Sequence, residues 1–262
     1  MTLTTGQCEV FKTFGYVVIP GLLSEEIDWI TSEFHAVFKD KGMEHDGSRR
    51  SVVVPFIDQR EKLCTLLDNQ KVTGTIGSLL GQDFNYIGGD GNMHSGDTAW
   101  HTDGGHQVGL YAKFHIYLDS LTHHTGALRV IPGSHLHGTW RDQLRQILEQ
   151  PADDMGINGA DIPSVTVETN PGDVLIFNHN IYHAAFGGGT ARRHVAMNIS
   201  SRAKTPNEIK ELDEYIPRHC LRKGGGQVHS DLMRETASPT RMCYLEQPIE
   251  REQLLVSSTP GH

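Results

Sequence analysis

The stretch that decides the fold is PGDVLIFNHNIYHAAFGGGTARRHVAMNIS, which runs from Pro171 to Ser200. A Pro-Gly-Asp turn leads into an apolar run, Val174–Phe177, and a glycine-rich segment separates this run from a second one, His194–Ile199. Short runs of β-branched and aromatic residues between glycine, proline and asparagine are typical of strands. The stretch therefore predicts two β-strands, with histidine and arginine on the segment between them.

Runs of the same kind occur throughout residues 84–200, separated by Gly, Pro, Asn and Asp turns. They are Phe84–Ile87, Leu110–Leu118, Ala127–Ile131 and Ser164–Val167, with one helical interruption at Trp140–Glu149. Many short strands at this spacing indicate an all-β sandwich or barrel. We therefore predict a mainly β protein with flanking helices, whose β core occupies residues 84–200.

Residues 1–83 predict a helical flank and the first strands. Thr4 or Thr5 can cap a helix that Gly15 ends, and Tyr16–Ile19 follows as a strand. Ser24 is the expected N-cap of a second helix, whose apolar residues from Ile27 to Val37 lie on one face. A third amphipathic segment covers Leu63–Leu80.

Residues 201–262 are polar and irregular, with KGGGQ at residues 223–227 and several prolines. Two interpretations are open: a tail that wraps around the core, or a lid over the mouth of a pocket. We predict that the whole chain, residues 1–262, is a single domain.

The amino-acid composition limits the classes of function that the protein can have. The net charge of -9 argues against binding to nucleic acid or anionic membranes, since both require a positive field. No apolar run is as long as a membrane span, and the N-terminus does not resemble a secretory signal, so we expect a cytoplasmic protein. The four scattered cysteines form no CxxC pair and predict reduced thiols. The sixteen histidines suggest a metal site.

WHTDGGH, residues 100–106, contains the first candidate ligands. His101 and Asp103 lie two residues apart, so both point to the same face of an extended segment. His183, about 80 residues later, is a candidate third ligand. Two histidines and one carboxylate form the facial triad of non-haem Fe(II) sites, which leaves positions for a bidentate 2-oxo acid and O2. His106 in a compact zinc set, or His179 as the distal ligand, remain alternatives at this point.

TGALRVIPGSH, from Thr125 to His135, resembles the Asn-Gly-Ala-Leu-x-Val-Ile-Pro-Gly-Ser-His signature of the phytanoyl-CoA dioxygenase-like family, with Thr125 where Asn is usual. Other segments resemble the same family in the same order. They are FGYVVIPGLLSEEI at 14–27, WHTD at 100–103, YLDSLT at 117–122 and PGDVLIFNHNIYH at 171–183.

This resemblance implies a double-stranded β-helix (jelly-roll, cupin-like) core and dependence on Fe(II), 2-oxoglutarate and O2. It implies that His101, Asp103 and His183 are the metal ligands, with His179 a strand residue near the site. Family halogenases carry a small residue in place of this carboxylate, so Asp103 favours hydroxylation.

The resemblance also implies an arginine after the distal histidine that binds the far carboxylate of 2-oxoglutarate. Arg192 and Arg193 compete for this role, and strand alternation narrowly favours Arg192, which is in phase with His194, Ala196 and Asn198. His115 and Tyr117 lie on the strand that lines the cosubstrate pocket in the family. Packing in the core is the alternative for both, and Lys113, in the same phase, is a candidate anchor.

Pro132 and Gly133 occupy the central positions expected for a type II turn, and we expect this turn and His135 to be structural. Arg49 and Arg50 are interpreted as a solvated loop pair.

The sequence thus predicts a non-haem Fe(II)- and 2-oxoglutarate-dependent dioxygenase that hydroxylates an unactivated carbon and releases succinate and CO2. A small metabolite, such as an amino acid derivative or a natural-product intermediate, is the expected substrate. Two alternatives remain. One is a cupin-like metal isomerase or a hydrolase that does not use 2-oxoglutarate; the other is a jelly-roll binding module without turnover.

Overall fold

The computed structural model describes residues 1–150, 156–190, 192–218 and 227–258. Its helices are α1 (Thr5–Phe14), α2 (Ile27–Asp40), α3 (Glu61–Cys64), α4 (Gln70–Leu80), α5 (Thr139–Leu148), α6 (Pro206–Ile216), α7 (Asp231–Glu235) and α8 (Pro239–Ser258). Its strands are β1 (Tyr16–Ile19), β2 (Ser51–Val53), β3 (Asn85–His94), β4 (Thr98–His101), β5 (Tyr111–Tyr117), β6 (Leu128–Val130), β7 (Val165–Val167), β8 (Val174–Asn178), β9 (His183–Ala185) and β10 (Arg192–Ser200).

The strands form two antiparallel sheets. One has six strands in the order β1-β8-β5-β10-β3-β2, and the other has four in the order β4-β9-β6-β7. Helices flank the sheets, and the described strands do not close into a single barrel. This is the jelly-roll arrangement, so the predicted fold class is confirmed. Its two edge strands β1 and β2 come from the first 83 residues, and the other strands come from residues 84–200.

β8 shows why an unbroken apolar run forms this core. Val174 and Ile176 pack into a cluster with the flanking helices, whereas Leu175 and Phe177 pack into a second cluster with residues of the smaller sheet. Successive side chains of a strand point to opposite faces, so a strand covered on both faces must be apolar throughout.

Two sequence predictions about turns are confirmed. Thr4 caps α1 and forms a capping box with Gln7, and Gly15 ends the helix with a φ of 84°. The Pro132-Gly133 turn closes with a 3.1 Å hydrogen bond from Ser134 N to Ile131 O, and Gly133 has a φ of 78°. His135 covers Gly15, where a Cβ would lie 2.5 Å from its Nδ1, so the histidine is structural.

Two predictions about helices are wrong. The hydroxyl of Ser24 donates to Gly21 O at 3.1 Å instead of capping α2, which begins at Ile27 without a side-chain cap. The segment Leu63–Leu80 is not one helix, because Asn69 accepts a hydrogen bond from Lys71 N and starts α4 anew. Short polar side chains compete with the helix for backbone donors, which explains the break.

The described residues after 201 are largely helical rather than irregular. Helix α8 packs on the larger sheet, with Tyr244 stacked on Phe84 at 4.1 Å between ring centroids. Gln247 accepts a 2.9 Å hydrogen bond from Asn85 Nδ2. The segment therefore wraps the sheet, as one of the two interpretations expects. Most of the KGGGQ stretch, residues 223–226, lies outside the described residues.

We expect the buried His229, in this segment, to make the free energy of unfolding depend on pH. Burial lowers the pKa of His229 to about 3, below its ordinary value of 6.5. Its stabilising contribution is therefore complete above pH 6.5 and is lost as the pH falls toward 3. We expect this histidine to reduce the free energy of unfolding by about 2 kcal/mol between pH 7 and pH 5.

Denaturant unfolding at the two pH values checks this, with His229→Gln expected to remove that loss. The neighbouring Asp58 acts in the opposite direction, since burial raises its pKa to about 6 and its contribution is lost as the pH rises. The exposed His124, changed to Gln, serves as the control and should leave the pH dependence intact. An unchanged profile in His229→Gln would contradict the assignment.

Candidate functional site

The smaller sheet brings the first candidate ligands together. His101 ends β4 and His183 begins β9, and the two are direct partners in the antiparallel register. Asp103 follows two residues after His101, and its Oδ2 lies 3.8 Å from His183 Nε2. One ligand atom from each of these three residues lies within 4.8 Å of the others.

Hydrogen bonds orient both imidazoles. His101 Nδ1 lies 2.8 Å from Ala99 O, and His183 Nδ1 lies 3.1 Å from Ile181 O. A carbonyl oxygen only accepts, so each Nδ1 carries the proton and donates it. Each Nε2 therefore keeps a lone pair directed at the site, as is usual for histidines that bind a metal.

The electrostatics also suit a cation. Burial alone would raise the pKa of Asp103, but Lys113 and the nearby histidines hold it well below its ordinary value. Burial lowers the pKa of His183 to about 4, although Asp103 opposes this shift. An ionised carboxylate and a neutral imidazole are the forms that bind a metal. Two imidazole nitrogens and one carboxylate oxygen fit Fe(II).

The alternative ligands lie elsewhere. His106 stacks on Tyr111 at 3.7 Å and its Nδ1 lies 2.9 Å from Glu211 Oε1. His179 is buried beside these rings, 5.5 Å from His106 between centroids. Within the described part of the chain, the His101, Asp103 and His183 group is the one cluster of histidine, cysteine and acidic residues that could hold a metal. The compact zinc set is not formed.

The two arginines have different surroundings. Arg192 is buried and donates to Gly126 O at 2.7 Å and to Gly96 O at 2.5 Å. Among the described residues, its Nε has no hydrogen-bond partner and no carboxylate forms an ion pair with it. Arg193 instead pairs with Asp119 at 2.5 Å. Arg192, which strand alternation favours, is therefore the arginine that faces the candidate ligands.

One cavity, which we call the Arg192 cavity, has a volume of about 130 Å³. It is lined by the three candidate ligands and by Arg192, His94, His115, Tyr117, His194, Leu121 and Leu128, among others. His115 stacks on His194 at 4.6 Å, and burial lowers the pKa of both, that of His194 to about 3. These imidazoles are neutral at pH 7, which leaves Arg192 as the cation at its end of the cavity.

A second cavity of about 290 Å³, the Asn198 cavity, lies on the other side of Lys113 and Asp103, which line both. The Lys113 ammonium is 3.0 Å from Asp103 Oδ2 and 3.9 Å from Asp90 Oδ1. Arg50 also lines both cavities, and its Nε donates to Asn92 Oδ1, so it is not a purely solvated loop residue.

Sequence analysis did not assign His94, Asp90, His194 or Asn198 to a site. Strand alternation could have identified two of them, because His194 and Asn198 lie in phase with Arg192 along β10 and face the same side. For His94 and Asp90 no comparable signal existed, since the predicted strand ended at Ile87 and β3 continues to His94.

Comparison with known proteins is consistent with this geometry. The model of the family described as phytanoyl-CoA dioxygenase matches residues 11–195. No curated protein matches the chain significantly. Among the helices in the described ranges, none is long and apolar enough to cross a membrane.

Several solved structures are similar in fold. The non-heme alpha-ketoglutarate-dependent carbocyclase SnoK from nogalamycin biosynthesis is 21% identical with a TM-score of 0.60, over 76% of this chain and 84% of that one. The epimerase SnoN from the same biosynthesis is 18% identical with a TM-score of 0.62, over 84% and 90%. HygX from Streptomyces hygroscopicus, with nickel and 2-oxoglutarate bound, is 20% identical with a TM-score of 0.59, over 78% and 90%. Since the family model covers more than half of its residues, the chain belongs to the phytanoyl-CoA dioxygenase family.

Proposed function

We propose that the protein is an Fe(II)- and 2-oxoglutarate-dependent oxygenase that hydroxylates a small metabolite. The observation that carries this proposal is one cavity with a metal-binding triad and a buried arginine that has no carboxylate partner among the described residues. A buried guanidinium without a counter-ion is costly, so its position is best explained by an anionic ligand. A keto acid with a distal carboxylate can meet both requirements at once.

In this proposal His101, Asp103 and His183 hold the iron. The bound iron and 2-oxoglutarate supply the oxidising chemistry, in which O2 is consumed and succinate and CO2 are released. Arg192 holds the far carboxylate through a bidentate pair that lysine would not reproduce. His115 and Tyr117 line the cavity beside it and exclude water. Arg193 has no part in binding, because it pairs with Asp119.

Hydroxylation is the outcome that we propose, since Asp103 leaves no small residue in the ligand set for a halide. The carbocyclase SnoK and the epimerase SnoN share the fold, so other oxidative outcomes occur on this scaffold. The product therefore has to be identified chemically once a substrate is available.

An anaerobic titration tests the proposal. Fe(II) and then 2-oxoglutarate are added to the metal-free protein, and the visible charge-transfer band of a chelated keto acid is recorded. We expect a saturable band that requires both components. Bound iron without a band would contradict the proposal and would favour a metal enzyme that does not use 2-oxoglutarate. Failure to bind iron would favour a binding module.

Two neighbouring glycines give a sharper prediction about Arg192. A Cβ on Gly188 would lie 2.6 Å from Arg192 Nε and 2.7 Å from Cζ, so Gly188→Ala must displace the guanidinium. A hydrogen bond to a charged group contributes roughly 1.5–3 kcal/mol. We therefore expect Gly188→Ala to weaken 2-oxoglutarate binding about tenfold or more, measured by the same anaerobic titration, with iron binding unchanged.

Gly189 is the matched control, because no described atom lies within 4 Å of a Cβ built there. Gly189→Ala should bind 2-oxoglutarate as the unmodified protein does. If Gly188→Ala and Gly189→Ala changed the affinity for 2-oxoglutarate equally, the effect would not come from displacement of Arg192, and the prediction would be wrong.

A further inference from the structure

Asn198, in the wall of the Asn198 cavity, carries a polar atom that no part of the proposed function uses. Asn198 Oδ1 is buried and accepts no hydrogen bond from the described residues. A buried acceptor without a donor is destabilising and requires an explanation in a native structure. In the wall of a cavity, a ligand can supply the missing donor.

The backbone at this point is also irregular. The pairing of β10 with β3 shifts register between Met197 and Ile199, so Asn198 lies at a β-bulge. Its partner on the other side is Lys113 of β5. Bulges redirect side chains and are frequent beside active sites. The extra residue lies on β3, whereas the pairing of β10 with β5 stays regular through Asn198. Asn198 therefore keeps the phase of Arg192 and His194 and lies opposite Lys113, which lines both cavities.

The rest of the lining combines apolar residues, such as Val54, Ile87 and Val228, with polar residues that carry both signs of charge. Asp90 lies 3.6 Å from the Arg50 guanidinium and 3.9 Å from the Lys113 ammonium. Thr102 and Tyr215 add hydroxyl groups. A volume of about 290 Å³ is at the lower end for ligand pockets. Neither the volume nor the lining suits a long acyl chain.

We propose that the Asn198 cavity binds the substrate, and that this substrate is a small polar metabolite with a hydroxyl or amino group that donates to Asn198 Oδ1. Asp90 is the second acceptor for such a donor. Asp103 lines this cavity as well as the Arg192 cavity, so a molecule held by Asn198 lies next to the triad. The inference rests on the proposed function, because it takes the triad as the reacting centre.

Binding of a small polyol to the protein loaded with Fe(II) and 2-oxoglutarate tests the inference. Glycerol is the probe, and dimethoxyethane, which has acceptors but no donors, is its control. Anaerobically, we expect glycerol to perturb the visible band saturably and dimethoxyethane to have no effect. Asn198→Leu should weaken glycerol binding about tenfold, whereas Asn198→Asp, which keeps an acceptor, should retain it.

Thermal unfolding gives a readout that does not depend on any ligand. Asn198→Leu removes an unsatisfied acceptor and should raise the Tm by about 2–4 °C. Asn180 is the matched control, because its Oδ1 and Nδ2 bond to His106 N and His106 O at 2.9 and 2.8 Å. Asn180→Leu should lower the Tm.

Glycerol binding is the measurement that decides whether the Asn198 cavity binds a hydroxyl donor. Equal responses to glycerol and dimethoxyethane, or glycerol binding unchanged by Asn198→Leu, would overturn the inference even if the band forms. A lower Tm in Asn198→Leu would likewise count against it. Absence of the band in the unmodified protein is a different result, which contradicts the proposed function itself.

Discussion

His183→Ala is expected to abolish stable iron binding, whereas His179→Ala should bind iron nearly as well as the unmodified protein. His183 Nε2 lies 3.8 Å from Asp103 Oδ2, and its ring is fixed by the hydrogen bond from Nδ1 to Ile181 O. Loss of outer partners of metal ligands already costs 10–100-fold in affinity. Loss of a ligand itself should therefore cost more than about 100-fold.

Equilibrium dialysis of Fe(II) under anaerobic conditions measures this effect. The comparison is well matched, because both histidines are buried and lie four residues apart in the same segment. A similar loss in both variants would point to a general disturbance of β9. A loss in His179→Ala alone would make His179 the distal ligand, which sequence spacing could not exclude.

The local sequence pattern was sufficient to predict those features that depend on a single strand or turn. The apolar run Val174–Phe177 predicted β8, because a strand covered on both faces needs no polar position. Alternation along β10 separated Arg192 from Arg193, since the period of a strand is two residues. Thr4 and Gly15 bounded α1 through capping chemistry that acts within a few residues.

Strands that depend on distant partners were not visible in the sequence. β4 and β9 have four and three residues, and each contains a histidine that a propensity argument does not favour. They are strands because β4 pairs with β9, and β9 also pairs with β6. The bulge opposite Asn198 likewise arises from the pairing of β10 with β3. Its local sign in the sequence is Gly88 of β3, which has a φ of 95°.

The segment after residue 201 illustrates the same limit for helices. Its polar composition indicated an irregular tail, yet Thr205 forms a capping box with Glu208 at the start of α6. The apolar residues of α6, Leu212, Tyr215 and Ile216, are buried in a cluster with Ile87 and Tyr111. Packing of an apolar face against an existing surface stabilises a short helix that would be marginal in isolation. Tyr215 also lines the Asn198 cavity, so the wrapping segment contributes to a pocket wall.

Arg192→Met is expected to weaken 2-oxoglutarate binding by about 30-fold or more, because it removes one partner of a buried charge pair, which costs roughly 2–5 kcal/mol. The affinity of Arg192→Lys for 2-oxoglutarate should lie between those of the unmodified protein and Arg192→Met. An ammonium keeps the charge but cannot form the bidentate pair. Binding of 2-oxobutyrate, a keto acid without the distal carboxylate, should be the same in all three proteins. Anaerobic titration of the visible band measures each affinity.

Arg193 provides the control for this prediction. It is adjacent in sequence and carries the same charge, but its guanidinium is already neutralised by Asp119 at 2.5 Å. Arg193→Met should therefore leave 2-oxoglutarate binding within a few-fold of the unmodified protein. If Arg193→Met were the more damaging change, the far carboxylate would have to bind outside the Arg192 cavity. If neither mattered while the band formed, the keto acid would be held by the metal alone, and the lack of a counter-ion for Arg192 would require another ligand.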